Sequence, residues 1–544
     1  MIIICNFAGV INYKVSVMCG FTVYTGKDLM KKLQFGHEAY AIKHRGPDNT
    51  LMQDLPRGWM AFHRLSIMDT SDAGNQPFVD GGVYLTCNGE IYNSVALRER
   101  YSGYKYKSGS DCECILPLLA DRGLVEMARE LDGEFAMVIY DSRSDKFMAA
   151  RDPIGIRGMF YGVTAEGDMC FASEMKALSG LCETVMPFPP GHVYDGERFV
   201  RYTDMTEVRG GYVSGDEGVI CANIRRLLTE GVVKRLQSDV PVGFLLSGGL
   251  DSSLVCAIAA RHLGRPIRTF AVGIEDGPID TKYAREVADY IGSEHTEVLF
   301  TKDDIFNSLS HLIYLTETYD ITTIRASIGM YLVCKYIREK TDIKVLLTGE
   351  ISDELFGYKY TDYAPSAEAF QEEAAKRVRE LYMYDVLRAD RCISGCSLEA
   401  RVPFGDLAFV RYVMSIDPEL KLNKVGIGKR LLRKSFEGDL LPRDILYREK
   451  AAFSDAVGHS SVEYLKAFAE GYYSDAEYEE RRRRYGHVMP ISKESLLYRE
   501  IFESYYPGRS GVIVDYWMPN RSWEHCDVDD PSARVLPNYG ASGE

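Results

Sequence analysis

Two short stretches hold the residue types that could do chemistry. In VMCGFTVY, residues 17–24, Cys19 stands before a glycine and a short apolar strand. A thiol placed there can act as a nucleophile with its own α-amine as base, provided that the amine is free. In the written chain that nitrogen is bonded to Met18. Residues 1–18 are therefore expected to be missing from the active protein, because translation starts at Met18 or because a propeptide is removed. In SGGLDSS, residues 247–253, Gly248 and Gly249 allow close approach of a phosphate to the backbone. The helix that follows would present unpaired N–H groups and its positive end to the anion. A plain Gly-Ser turn opening a helix is the competing reading.

Other polar residues can be grouped around these two. Arg64 could fork onto an α-carboxylate and Asp111 could take an α-ammonium. Asn88 and Gly89 could supply a side-chain amide and a backbone N–H to an oxyanion. Each is ambiguous alone, since Asn-Gly is also a common hairpin turn and a single Arg is usually a surface residue. In TGEISDE, Glu350 and Asp353 could lie near phosphates or a metal, and Lys450 in REKAAFSDAVG could offset charge on a pyrophosphate. A carboxylate pair after a strand is more often a helix first turn.

These residues need two kinds of scaffold. Up to about residue 205 the pattern is short alternating strands, as in GFTVYTG, GWMAFHRLSIMD, VYLTCNGEIYN, DGEFAMVIYDSR and KFMAARD, predicting an antiparallel, layered α+β unit. Residues 206–218 fall in a polar, Gly-rich stretch that reads as a linker. From 219 to 544, apolar strands at 242–247, 267–274, 296–300 and 344–349 alternate with helical segments, predicting a doubly wound parallel sheet.

A chain of 544 residues is too long for one core, consistent with two domains. The formal net charge of −15 argues against a nucleic-acid or anionic-membrane surface, leaving small molecules as partners. Thirteen cysteines without CxxC or zinc spacing fit a reducing, cytoplasmic setting. The apolar opening MIIICNFAGVI is too short to span a bilayer and lacks a basic n-region.

In order along the chain, MCGF, HRGPD, HRLSIMD, NGEIYN, SDCE, LDGEFA, ARDPIGIR, SEMKAL, SGGLDSS, YDITTIRAS, GEISDE and EARVPF resemble the glutamine-hydrolysing asparagine synthetases from Met18 to the C-terminal DDPSAR. SGGLDSS itself is similar to the PP-loop of ATP pyrophosphatases, which release AMP and pyrophosphate. The resemblance implies an N-terminal-nucleophile αββα sandwich over 19–205 and an adenine nucleotide α-hydrolase fold over 219–544. It implies that Cys19 attacks glutamine with Asn88 and Gly89 holding the oxyanion, while Arg64, Leu65, Ser66, Ile67, Met68, Glu90 and Asp111 surround the substrate. It further implies that ATP meets Leu245, Ser247, Gly248, Gly249, Asp251, Ser252, Val272, Thr348, Gly349 and Lys450. Mg2+ would sit on Asp251 and Asp353, and Glu350 would transfer a proton during amide formation. L-Aspartate is the implied acceptor, ammonia travels within the protein, and the assembly is a homodimer.

Five positions depart from the family pattern: Ile351 replaces a Gly, Gly158 a Pro, Ile328-Gly329 a Thr-Pro, and Gly405 a Leu. A β-branched residue rarely takes φ > 0, so the loop bearing Glu350 is expected to adjust around Ile351. Amidation or cyclisation of another carboxylate, as in the related β-lactam synthetases, and a non-catalytic scaffold are the competing classes. Cys19, Arg64, Asp111, Asp251, Glu350 and Lys450 together disfavour the scaffold, which needs none of them.

Overall fold

The computed structural model describes residues 19–275, 279–449 and 459–539. Residues 1–18 and Lys450, both singled out above, lie outside the described residues.

The first half holds two six-stranded antiparallel sheets. One runs Thr184–Pro187, Phe160–Val163, Met169–Ala172, Gly20–Tyr24, Trp59–Arg64, Asn49–Asp54; the other runs Phe199–Arg201, His192–Tyr194, Lys146–Arg151, Gly133–Asp141, Val83–Ile91, Phe78–Asp80. Alternate residues of the central strands meet between the sheets, Phe21, Val23, Met60 and Phe62 against Ala136, Val138 and Tyr140. The opposite faces are also apolar. Tyr24 stacks on Trp59 with ring centroids 5.0 Å apart, beneath Phe35 of the helix Lys31–Tyr40. The helical segment Ile115–Glu130 covers Leu85, Met137 and Ile139 of the other sheet. Four layers, helix–sheet–sheet–helix, result.

The second half is built on a five-stranded parallel sheet in the order Glu294–Phe300, Arg268–Ile274, Val242–Leu245, Val345–Leu347, Glu399–Arg401. The sequence predicts four of these. The fifth has only three residues, two of them charged, and carries no apolar run for periodicity to find. Strand order reverses between Val242–Leu245 and Val345–Leu347, and the loops after these two strands are SGGLDSS and TGEISDE. A parallel sheet opens its crevice at that switch point. The stretch between the halves is pinned in the middle: the Val213 N–H donates to the Ser415 carbonyl at 2.7 Å, and the Asp417 N–H donates to the Val213 carbonyl at 2.9 Å. Asp216 then caps the helix Glu217–Lys234. Among the described residues no helix is long and apolar enough to cross a membrane.

Candidate functional site

Cys19 immediately precedes the strand Gly20–Tyr24, whose antiparallel neighbour Trp59–Arg64 runs on into Leu65. The Leu65 N–H donates to the Cys19 sulfur at 3.3 Å, and the thiol lies 3.4 Å from the Leu65 carbonyl. Burial pushes the Cys19 thiol up to about 12 against that N–H hydrogen bond, so at neutral pH it is protonated and needs a base to become a nucleophile. Of the twelve free cysteines among the described residues, eleven are buried and only Cys19 is partly accessible.

The residues expected around it take up distinct positions. The Asn88 Nδ2 is buried and makes no hydrogen bond in the protein, leaving a desolvated donor available. At Gly89 a Cβ would meet the Glu134 carbonyl oxygen at 2.4 Å, so the strand is too closely paired there for any side chain. Asp111 is buried, accepts the Ile91 N–H at 2.6 Å, and is raised by burial above the usual carboxylate range. Arg64 does not present an open fork: its guanidinium donates to the Ser71 carbonyl at 2.6 Å, to the Asn75 side-chain oxygen at 2.9 Å and to the Asp69 carbonyl. It organises the 68–75 loop. Leu65 and Ile67 pack into the apolar cluster shared by both halves, with Met68 against it, and the Ser66 N–H donates to Asp48 at 2.9 Å.

The second site is a cavity of about 250 Å³ at the switch point of the parallel sheet. Leu245, Ser247, Gly249, Asp251, Ser252, Val272, Thr348, Gly349, Glu350 and Asp353 line it, as the sequence predicts. Gly248 does not. Its φ is +73°, and a Cβ there would stand 2.5 Å from the Ala284 nitrogen, so the turn and the neighbouring helix Ile279–Ile291 already require a glycine at this position. Gly349 presses directly on the phosphate loop, where a Cβ would lie 2.8 Å from the Ser252 nitrogen.

Lys429, in the basic run GIGKRLLRK, is a site residue that sequence reasoning missed. Its ammonium lies 2.6 Å from Asp251 and 2.7 Å from Asp353, and it donates to the Ser352 hydroxyl at 3.0 Å. Burial works to lower its pKa, but the two carboxylates outweigh this and hold it above the ordinary lysine range. Two carboxylates thus converge on one cationic position, a pair of oxygen donors that would suit a magnesium ion, which is commonly held by one or two carboxylates with waters and phosphates. Glu350 accepts from Arg388 at 3.3 Å with one oxygen, while its other oxygen is buried without a hydrogen bond. Farther into the cavity Glu354 and Asp385 share the Tyr358 hydroxyl at 2.6 and 3.3 Å. Burial, then Asp385 and Asp353, raise Glu354 well above its ordinary range. The cavity wall therefore offers an acidic pair and a guanidinium close together, a match for the two ends of an amino acid.

Buried charges join the two sites. Arg45, of HRGPD, donates from Nε to the Cys19 carbonyl at 3.0 Å, forks onto Asp390 at 2.8 and 2.9 Å, and reaches Glu174 at 2.6 Å. Arg401 pairs with Glu90 at 3.0 Å and donates to Glu399 at 2.7 Å. Arg157 lies 3.4 Å from Glu134 and 3.5 Å from Glu399, and Arg235 donates to Glu134 at 2.8 Å. Alongside runs an apolar cluster containing Leu65, Ile67 and Ile156 from the first half and Leu250, Ile351, Val402 and Phe404 from the second, with Cys19 packed against it.

Residues 18–191 match the family described as glutamine amidotransferase domain, and residues 223–376 and 361–529 match asparagine synthase. A probable asparagine synthetase [glutamine-hydrolyzing] of Acanthamoeba polyphaga mimivirus is 42% identical over 91% of this chain and 95% of its own length. The asparagine synthetase [glutamine-hydrolyzing] of Rattus norvegicus is 40% identical over 97% of this chain and all of its own, and that of Gallus gallus is 41% identical over 96% and 99%. The chain belongs to the family of glutamine-hydrolysing asparagine synthetases.

Proposed function

We propose that the protein makes L-asparagine from L-aspartate and ATP with ammonia released from L-glutamine, giving glutamate, AMP and pyrophosphate. The observation that carries this reading is the pairing, in one chain, of a nucleophile-bearing αββα sandwich with a switch-point phosphate cavity, both packed against a common apolar cluster.

In the first site the Cys19 thiol attacks the side-chain amide carbon of glutamine. A thiol pushed up to about 12 needs a proton acceptor, and a free Cys19 α-amine, with an ordinary pKa near 8, is suited to that task. The Asn88 amide and the Gly89 N–H stabilise the oxyanion. Asp111 takes the substrate ammonium, and Arg64 acts through the loop it organises. Domain limits of 19–205 and 219–544, with residues 1–18 absent from the active form, belong to this proposal.

In the second site the backbone around Ser247, Gly249 and Ser252 holds the phosphates, and Leu245 and Val272 flank the adenosine. The aspartate side chain attacks the α-phosphorus, forming β-aspartyl-AMP and releasing pyrophosphate. Glu354 and Asp385 take the aspartate ammonium, and Arg388 its α-carboxylate. Ammonia then attacks the acyl carbon, the free oxygen of Glu350 accepts a proton, and AMP leaves. Asp251 and Asp353 would hold Mg2+, which supplies charge neutralisation on the phosphates when bound. Lys429 balances the same carboxylates. A homodimeric, cytoplasmic enzyme completes the reading, and sedimentation and fractionation test those two points. Purified protein supplied with glutamine, ATP-Mg and a panel of carboxylates is the central test. Asparagine with equimolar AMP is expected, whereas ADP, or preference for another carboxylate, would overturn it.

A further inference from the structure

Ile351 is in a conformation that its side chain disfavours. Its φ is +81° and ψ −19°, the left-handed region that a β-branched residue seldom enters. Ile351 takes positive φ although its side chain disfavours it, and the loop is pinned on both sides of it. Gly349 is pressed on the phosphate loop, and the Ser352 hydroxyl donates to Asp251 at 2.7 Å. Glu350 lies within this pinned segment.

The side chain shows what holds the strain in place. Ile351 is 1% exposed, and its Cδ1 lies 2.9 Å from the point that a Cβ on residue 405 would occupy. The Cδ1 of Ile156, from the amidotransferase half, lies 3.0 Å from the same point. Ile156 is itself fixed, its N–H donating to Asp152 at 3.0 Å. The backbone at Gly405 is not left-handed, so it is space and not conformation that requires glycine there. Positions 351 and 405 are also two of the five positions that depart from the family pattern, a Gly exchanged for Ile and a Leu exchanged for Gly, and the structure brings them into contact. Volume lost at one is restored at the other.

We infer that Ile351 is a positioning residue of the synthetase centre: its side chain, seated over Gly405 beside the approach of Ile156, holds the left-handed turn that places Glu350. This rests on the proposed role of Glu350 and deepens it. At this seat a side chain of the glutaminase half, Ile156, approaches the same point over Gly405 as the Ile351 side chain, so the first half can bear on Glu350 there.

Four variants test this, read as the kcat for asparagine formation from ammonium salts, the KM for ATP and the rate of glutamine hydrolysis. Ile351→Val removes the methyl that meets Gly405 while preserving fold and branching. It is expected to lower the ammonia-dependent kcat about fivefold, with KM for ATP and glutamine hydrolysis within about twofold of native. Ile351→Gly and Gly405→Leu should each lose about tenfold or more, and the double variant should return to within about threefold of native. A native kcat in I351V, or a double variant whose loss is the product of the singles, overturns the inference. Should the double variant misfold, I351V alone decides. Failure of the native protein to make asparagine from ammonia would instead defeat the proposed function, leaving the seat without a reaction to serve.

Discussion

Replacing Arg401 with Met should unbalance the charges between the two sites by a calculable amount. The guanidinium pairs with Glu90 at 3.0 Å and Glu399 at 2.7 Å, and all three residues are buried. Without it, Glu399 keeps Arg157 at 3.5 Å, whereas Glu90 has no other cation among its ion pairs in the described residues. One uncompensated buried carboxylate typically costs about 3–5 kcal/mol. Protonation sets the ceiling: neutralising a carboxyl of ordinary pKa at pH 8 costs about 5 kcal/mol, at about 1.4 kcal/mol per pH unit. Burial already raises Glu90 in the native protein, so part of this cost is present before the substitution, and about 3 kcal/mol is expected at pH 8. The sign follows from a folded-state pKa raised above the unfolded value. The gap between native and variant is absent below the folded pKa of Glu90 in the native protein, where both hold the proton, and grows as pH rises from there towards the higher folded pKa of the variant. Urea unfolding of native and R401M protein at pH 6, 7 and 8 should show a gap that widens with pH, and the E90Q/R401M double variant should recover most of the loss and its pH dependence. An R401M variant as stable as native at pH 8, or equally destabilised at pH 6 and pH 8, would refute the reasoning.

Cys19→Ala should abolish glutamine hydrolysis, lowering it by at least a thousandfold, yet keep asparagine formation from ammonium salts within about threefold of native, as coupled assays with the two nitrogen donors would show. Asp251→Asn should abolish ATP–pyrophosphate exchange while glutamine hydrolysis stays within about threefold, because the two centres stand on separate sheets. Alkylation of full-length protein, with Cys19 still joined to Met18, should speed up about tenfold per pH unit between 7 and 9, since that range lies below the thiol's raised pKa. Protein made to begin at Cys19 should instead react rapidly near neutral pH and alone hydrolyse glutamine; equal glutaminase rates in both forms would remove the amine from the mechanism.

Much of this organisation is legible in the chain because it is local. Strand alternation from Gly20 to Arg151 and the strand–SGGLDSS–helix succession are decided within a dozen residues, and the structure has them where the pattern predicts. Contacts between distant segments left no comparable signal. Arg45 and Asp390 are 345 residues apart, and nothing near either one tells a buried guanidinium from a solvated one. Lys429 was hidden by its neighbours, since GKRLLRK reads as the charged face of an ordinary helix. The chemistry of Arg64 marks it as important, but its loop partners include the backbone carbonyls of Ser71 and Asp69, which any sequence supplies, so these contacts leave little signal. Ile351 misled for the opposite reason: the rule against a branched residue at positive φ is sound for an isolated loop, and here tertiary packing overrides it.

The charges buried between the halves bear on how such a protein can be inherited. Arg45, Glu134 and Glu90 on the first half are matched by Asp390, Arg235 and Arg401 on the second, so neither half closes its own electrostatic account. An amidotransferase domain recombined onto a foreign synthetase domain would need each counter-charge to be present already at the matching depth. Without it the new junction would bury unpaired ions, each costing several kcal/mol. An apolar seam would tolerate mismatched partners far better, since hydrophobic contacts ask only for volume. The two domains can therefore drift together, but they cannot readily be shuffled, and the unit on which selection acts is the joined pair.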